Sequence, residues 1–204
     1  FTNIGETHNE GFLNHRHKIN EKLILFRNAK QLIYNKDYYE LHDCILQFAA
    51  QVKNNANQEI QLLNWSKKNE AVLQITASDK QEGSTRLSAI YQQETVYLEV
   101  PFIDDASVED AIHCWLYMLT LGISADDIQQ RMRRLSPIAM RLEMMKGMNQ
   151  CTLINDSYNS DVSSFSIALD LLVQQNQHDV RTVILSDILQ SGRDNELYEE
   201  VADL

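Results

Sequence analysis

The stretch Arg141–Asp161, RLEMMKGMNQCTLINDSYNSD, decides the fold. Apolar residues recur in two short runs, Met140 to Met145 and Cys151 to Ile154, on either side of Gly147-Met148-Asn149. This pattern predicts two short strands joined by a tight connection. The second strand runs directly into Asn155, Asp156, Ser157, Tyr158 and Asn159, residue types that favour turns and caps, and a helix is predicted from Ser163 to Gln174. Polar groups crowded between a strand end and a helix start mark the crevice in which open α/β sheets bind ligands. The same residues also read as a plain helix cap, and spacing does not separate the two readings.

Downstream, the β-branched run Val180 to Leu185 predicts another strand and the pattern from Asn195 a helix. Strand, helix, strand, helix in that order implies a parallel α/β unit that has only begun. Upstream, Ser136-Pro137 breaks the chain and places a domain boundary near residue 138. Before it, helices are predicted over Asp104 to Leu121, with Gly122 as its stop, and over Ala125 to Leu135, with Ser124 as N-cap. Four strands, Ile60 to Trp65, Ala71 to Ala77, Arg86 to Tyr91 and Thr95 to Phe102, with DKQEGS (79–84) as a turn, predict an antiparallel section. Further back stand helices over Asn14 to Asn28 (Ile19, Leu23 and Phe26 on one face) and Tyr38 to Val52 (Leu41, Ile45, Phe48, Ala49). They flank a short strand Gln31 to Tyr34, with a loop over Asn54 to Asn57. Phe1 to Ile4 reads as the end of a buried strand, followed by the polar loop GETHNEG.

The composition, 44% hydrophobic and 23% charged over 204 residues, is that of a folded globular chain. A formal net charge of −11 leaves no basic stripe for nucleic acid or an anionic membrane, although a small phosphate ligand needs only a few local donors. Cys44, Cys114 and Cys151 show no C-x-x-C spacing and read as reduced core residues of a cytoplasmic protein. No apolar run reaches the roughly 18 residues of a membrane span, and no signal-peptide pattern is present. The chain opens on Phe1 and stops at Leu204 inside a helical pattern, so both ends are expected to be internal to a longer protein.

Three groups carry chemistry. His8 and Glu10 stand two residues apart past a predicted strand end, with Lys22 on the next helix. An imidazole and a carboxylate that converge can ligate a divalent cation, and a solvated surface histidine is the alternative. Arg141 and Glu143 alternate with Met140, Leu142 and Met144, which predicts that both point to one strand face. An arginine so held offers a rigid fork to a phosphate, or else a surface ion pair with Glu143. Asp187 follows the predicted strand at another carboxyl end, where it reads either as lining the crevice or as a plain turn cap. With six glycines, the 204 residues contain no G-x-x-x-x-G-K-[ST], G-x-G-x-x-G or G-x-S-x-G pattern.

Taken together, TNIGETHNEGF (2–12), RLE (141–143) after a proline-marked hinge, LINDSYNSD (153–161) and VILSDILQSG (183–192) resemble the Mur ligases, ATP-dependent enzymes that build the peptide of the bacterial cell-wall precursor. The first resembles that family's Asn-Ile-Gly-x-x-His-x-Glu loop. The last two are similar to the pattern of the member that adds D-alanyl-D-alanine, in a form fused to a downstream alanine racemase. The resemblance implies an α/β fold made of the C-terminal half of a Mur-ligase central ATPase domain, residues 1–138, and the start of a Rossmann-like C-terminal domain, residues 139–204.

The resemblance also implies the chemistry. ATP phosphorylates the terminal carboxylate of a UDP-N-acetylmuramoyl-tripeptide, and the amine of D-Ala-D-Ala attacks the acyl phosphate, with Mg²⁺ and cationic side chains offsetting the oxyanions. His8 then matches the metal-ligand histidine, Glu10 the acidic residue beside it, and Lys22 the lysine that related ligases carry as a carbamate, an anionic oxygen ligand that forms only on a neutral amine. Arg141 matches the hinge arginine on the nucleotide phosphates and Asp156 the aspartate near the ribose, with Tyr158 and Asn159 continuing the motif. Asn155, Ser160, Asp161 and Val162 depart from the family pattern, and Ser107, in DDASVEDAI, stands where an adenine-contacting Asn is expected. The family's phosphate-binding loop would precede residue 1, so these residues alone are expected to be inactive. Two alternatives stand beside this reading: a Mur-type or folylpolyglutamate-like ligase with another acceptor, and a non-catalytic interaction module that keeps the fold.

Overall fold

The computed structural model describes residues 1–2, 4, 11–56, 58–136, 141–158, 162–186, 188 and 195–204. The chain forms two compact units, one of Phe1–Ile4 with Asn14–Ser136, the other of Gly5–Leu13 with Pro137–Leu204.

The first unit is built on a five-stranded sheet of order β1-β2-β3-β4-β5. Helix α1 (His15–Leu23) starts where the Asn14 side chain accepts the His17 amide at 2.8 Å, and continues into a 3₁₀ turn, Ile24–Phe26. Strand β1 (Gln31–Asn35), helix α2 (Tyr39–Ala56) and strand β2 (Gln61–Ser66) form a crossover unit with β1 and β2 parallel, Gln31 opposite Gln61 and Asn35 opposite Trp65. Alternation along β1 sorts side chains between two cores. Leu32 and Tyr34 pack with Ile19, Leu23, Leu41 and Ile45 of α1 and α2. Ile33 faces the other core, where Leu63 and Trp65 of β2 meet the rest of the unit. Phe1 and Ile4 pack against the first core without forming a strand, and the Phe1 backbone nitrogen donates to the Ile33 carbonyl at 2.8 Å.

Strands β3 (Leu73–Gln81), β4 (Ser84–Tyr91) and β5 (Glu94–Val100) are antiparallel to one another. The expected all-antiparallel section is corrected at its first strand: β2 is parallel to β1 and, through Trp65–Leu73 and Ser66–Gln74, to β3. The β3–β4 turn contracts from DKQEGS to Glu82-Gly83, with Gly83 at φ 77. The β4–β5 turn, Gln92-Gln93, holds both residues left-handed (φ 50 and 69) with no glycine to signal it.

Helix α3 (Asp105–Thr120), capped by Asp104, lays Val108, Ala111, Ile112, Trp115 and Leu116 on the larger core, and α4 (Ala125–Met132), capped by Ser124, adds Ile128 and Met132. Helix α2 runs through the predicted loop as far as Ala56, and α4 stops three residues short of Leu135.

In the second unit, β6 (Glu143–Lys146) and β7 (Thr152–Asn155) form an antiparallel pair, Glu143 opposite Asn155. Their connection, Met148–Gln150, is a 3₁₀ turn with Asn149 at φ 56. Gly147 lies close beside it: an added Cβ would stand 2.5 Å from the Cys151 sulfur, which would have to shift. Helices α5 (Val162–Gln174) and α6 (Asn195–Asp203) follow, and Val162, Leu197 and Ile188 share a small core with Val201.

The predicted strand Val180 to Leu185 enters no ladder among the described residues, and Val180 and Ile184 are 80% and 94% exposed. A β-branched run makes a strand only when a neighbour offers amides and carbonyls to pair with, and neither described strand of this unit does so. Of the predicted core cysteines only Cys44 is buried; Cys114 and Cys151 are exposed, and all three are free thiols. Among the described residues no helix is long and apolar enough to cross a membrane.

Candidate functional site

The second unit gathers three of the predicted residues. Just before β6 the backbone turns left-handed at Leu142 (φ 47), a conformation that costs a residue with a Cβ about 1 to 2 kcal/mol. The Leu142 amide donates to Oδ1 of Asp156 at 3.1 Å. Arg141, one residue earlier, lies with its guanidinium carbon 4.7 Å from the centre of the Tyr158 ring, within cation–π range. A guanidinium carries its N–H donors in one plane as a rigid fork, the donor set that a phosphate accepts. Arg141 and Tyr158 are both exposed.

The expectation that Arg141 and Glu143 share a strand face is therefore corrected. The ladder starts at Glu143, and the left-handed residue between the two breaks the alternation. At the other strand end, the Ser157 hydroxyl donates to Oδ1 of Asn155 at 2.7 Å, so Asn155 and Ser157 act locally on the turn.

In the first unit Lys22 lies exposed near the end of α1. The buried lysine of that helix is Lys18, 2% exposed, a position that the sequence reading passed over. Ser107 sits half-buried in the first turn of α3, its amide donating to the Asp104 side chain at 2.8 Å. His8, Glu10, Asn159 and Asp187 lie outside the described residues. Among the described residues no group of three or more His, Cys, Asp or Glu side chains is placed to hold a metal.

A second polar cluster emerges only from the strand pairing. Because β1 and β2 are parallel, both carboxyl ends open on one edge of the sheet, where such folds place their ligands. There the buried Ser66 hydroxyl donates to Asp37 and accepts the amides of Lys68 and Asn69 at 2.9 and 2.7 Å. Asp37 also accepts the Lys67 amide at 2.8 Å. Tyr38 donates to Glu109 at 2.9 Å, and Lys67 lies 3.5 Å from the same carboxylate. Burial, then the charge of Glu109, pushes the Tyr38 phenol far above its usual range, so it remains a neutral donor. A cavity of about 360 Å³ beside this cluster is lined by Ile4, His15, Asp37, Tyr38, Tyr39, Glu40 and Leu41, with His15 2.6 Å from Glu40. The signal available in sequence was Asn35-Lys36-Asp37 at the end of an apolar run, and it was read only as the gap between a strand and a helix.

Solved structures of Mur ligases and of folylpolyglutamate synthetase share this fold. The synthetase from Lactobacillus casei matches with a TM-score of 0.61 at 12% identity, over 80% of this chain and 40% of its own. MurF from Acinetobacter baumannii matches 98% of this chain with a TM-score of 0.75 at 20% identity, and MurF ligase from Thermotoga maritima in complex with ADP matches 84% with 0.65 at 15%. These matches span 42% and 38% of those ligases.

Two curated relatives carry the same name. The UDP-N-acetylmuramoyl-tripeptide–D-alanyl-D-alanine ligase of Buchnera aphidicola subsp. Baizongia pistaciae is 23% identical over 170 residues, 83% of this chain. The chain spans about a third of that relative's length (34%). No protein-family model matches the chain.

Proposed function

We propose that this chain is part of an ATP-dependent ligase that adds D-Ala-D-Ala to UDP-N-acetylmuramoyl-tripeptide in peptidoglycan precursor synthesis. The observation that carries the reading is the cluster of Arg141, Asp156 and Tyr158, three residues set apart by the resemblance, together at one strand end. The MurF ligase from Thermotoga maritima, a solved structure of the same fold, is a complex with ADP, which supports ATP as the nucleotide.

In this reading residues 1–138 belong to the central ATP-binding domain and residues 139–204 to the closing domain. Arg141 directs its in-plane donors at the nucleotide phosphates, Asp156 and Asn159 lie toward the ribose, and Ser107 toward the base. His8 and Glu10 would hold Mg²⁺, with Lys22 as a carbamate adding an anionic oxygen ligand, and the ion would neutralise phosphate oxygens. The amide bond forms between the tripeptide's terminal carboxylate and the D-Ala-D-Ala amine. Phosphoryl transfer to the carboxylate supplies the leaving group that a free carboxylate lacks, and cationic donors held in place stabilise the charge that develops. Lacking a glycine-rich phosphate loop, the 204 residues by themselves do not turn over ATP.

The test is phosphate release by the full-length protein, given ATP, Mg²⁺, UDP-N-acetylmuramoyl-tripeptide and D-Ala-D-Ala, beside an Arg141→Ala variant. The reading expects release that needs both substrates and falls at least tenfold in the variant, the loss of a charge-assisted contact of about 1.5 to 3 kcal/mol. Release that responds to a different amine, or to a folate-type acceptor, would keep the class and overturn the substrate.

A further inference from the structure

The ladder between β6 and β7 pairs Glu143 with Asn155, so its continuation would set Leu142 opposite Asp156 and Arg141 opposite Ser157. It does not continue. Leu142 turns left-handed instead, its amide is taken by the Asp156 side chain, and Arg141 reaches Tyr158 rather than standing across from Ser157. An L-residue with a Cβ stays in that region only where its surroundings hold it, and the Asp156 carboxylate holds the Leu142 amide.

We propose that Asp156 is a positioning residue: by accepting the Leu142 amide it holds the left-handed corner that swings Arg141 onto the ring of Tyr158, and Tyr158 is the second positioning residue, the platform on which the guanidinium rests. The role of this arrangement in presenting Arg141 to nucleotide phosphate rests on the function proposed above. The arrangement itself does not.

Two readouts on the full-length protein separate the two. The first is the ring-current shift of the Arg141 side-chain protons in arginine-labelled protein without nucleotide. An upfield shift is expected in the parent, in Tyr158→Phe, which keeps the ring, and in Asp156→Asn, which keeps the acceptor oxygen. It is lost in Tyr158→Leu and in Asp156→Ala. Adding Leu142→Gly to Asp156→Ala restores at least half of it, because glycine enters the left-handed region without a Cβ penalty. Retention of the shift in Asp156→Ala, or no recovery on adding Leu142→Gly, overturns the proposal.

The second readout is ATP affinity. Tyr158→Leu weakens it about two- to fivefold, the range of an exposed cation–π contact, while Tyr158→Phe leaves it within twofold. A parent protein that binds no ATP sinks the functional reading, and the proton shifts still decide the positioning one. An affinity that ignores Tyr158→Leu while the shift disappears overturns the platform's role in phosphate presentation.

Discussion

The amide of Leu142 and the carboxylate of Asp156, 3.1 Å apart, end one strand pair and start the turn that carries Arg141 to Tyr158. Removing the acceptor leaves a half-buried donor unpaired beside a strained residue. Asp156→Ala is expected to lower unfolding free energy by about 1 to 2 kcal/mol, and Asp156→Asn by much less. Urea unfolding of the two variants checks this, and equal losses would mean that the charge, not the hydrogen bond, supports the corner.

The β4–β5 turn is expected to be improvable. Gln92 and Gln93 both hold positive φ at exposed positions, where asparagine followed by glycine is the pair that suits such a two-residue turn. Replacing them by Gln92→Asn and Gln93→Gly should raise stability by about 1 kcal/mol, seen as a higher urea midpoint at unchanged slope.

At the carboxyl edge of β1 and β2, Ser66 is fully buried and serves Asp37, Lys68 and Asn69 at once. Ser66→Ala leaves two amides and a carboxylate short of a partner and is expected to cost about 1 to 3 kcal/mol. A change below 0.5 kcal/mol in chemical denaturation would show that water replaces the hydroxyl and that the cluster is not cooperative.

His113 gives a pH signature. It lies buried against Trp65, edge-on at 5.3 Å between ring centres, with the Glu109 and Phe1 carbonyls at its two ring nitrogens, at 2.8 and 3.2 Å. Burial pushes its pKa below the usual histidine value near 6.5, against the smaller opposing pull of the Glu109 carbonyl. The unfolded chain then binds the proton first on acidification, so stability from the neutral ring is complete above about pH 6.5 and is lost as pH falls toward the depressed folded value. The parent should lose more stability between pH 7.5 and 5 than His113→Gln does, and parallel pH profiles would contradict it.

Much of the fold was legible because local signals agreed with tertiary packing. Ser124 caps its helix where the cap pattern placed it, and Ile19, Leu23 and Leu41 point into one core as their spacing predicted. The parallel pairing of β2 was not legible, since periodicity gives a strand's faces but not its neighbour's direction, and with it went the cluster at Asp37 and Ser66. Val180 to Leu185 has the composition of a strand, but pairing is a property of the neighbour as well as the segment. At the candidate site, Arg141, Asp156 and Tyr158 were legible only through the family resemblance. Strict alternation put Arg141 on the wrong face because nothing in Arg-Leu-Glu announces a left-handed leucine.

The most direct test of the central claim is phosphate release by the full-length protein with ATP, Mg²⁺ and UDP-N-acetylmuramoyl-tripeptide, with and without D-Ala-D-Ala, in the parent and in Arg141→Ala. The account predicts release that depends on D-Ala-D-Ala and collapses in the variant. A folded parent protein that neither binds ATP nor releases phosphate with any acceptor would contradict it, and would leave the chain a module that keeps the ligase fold without its chemistry.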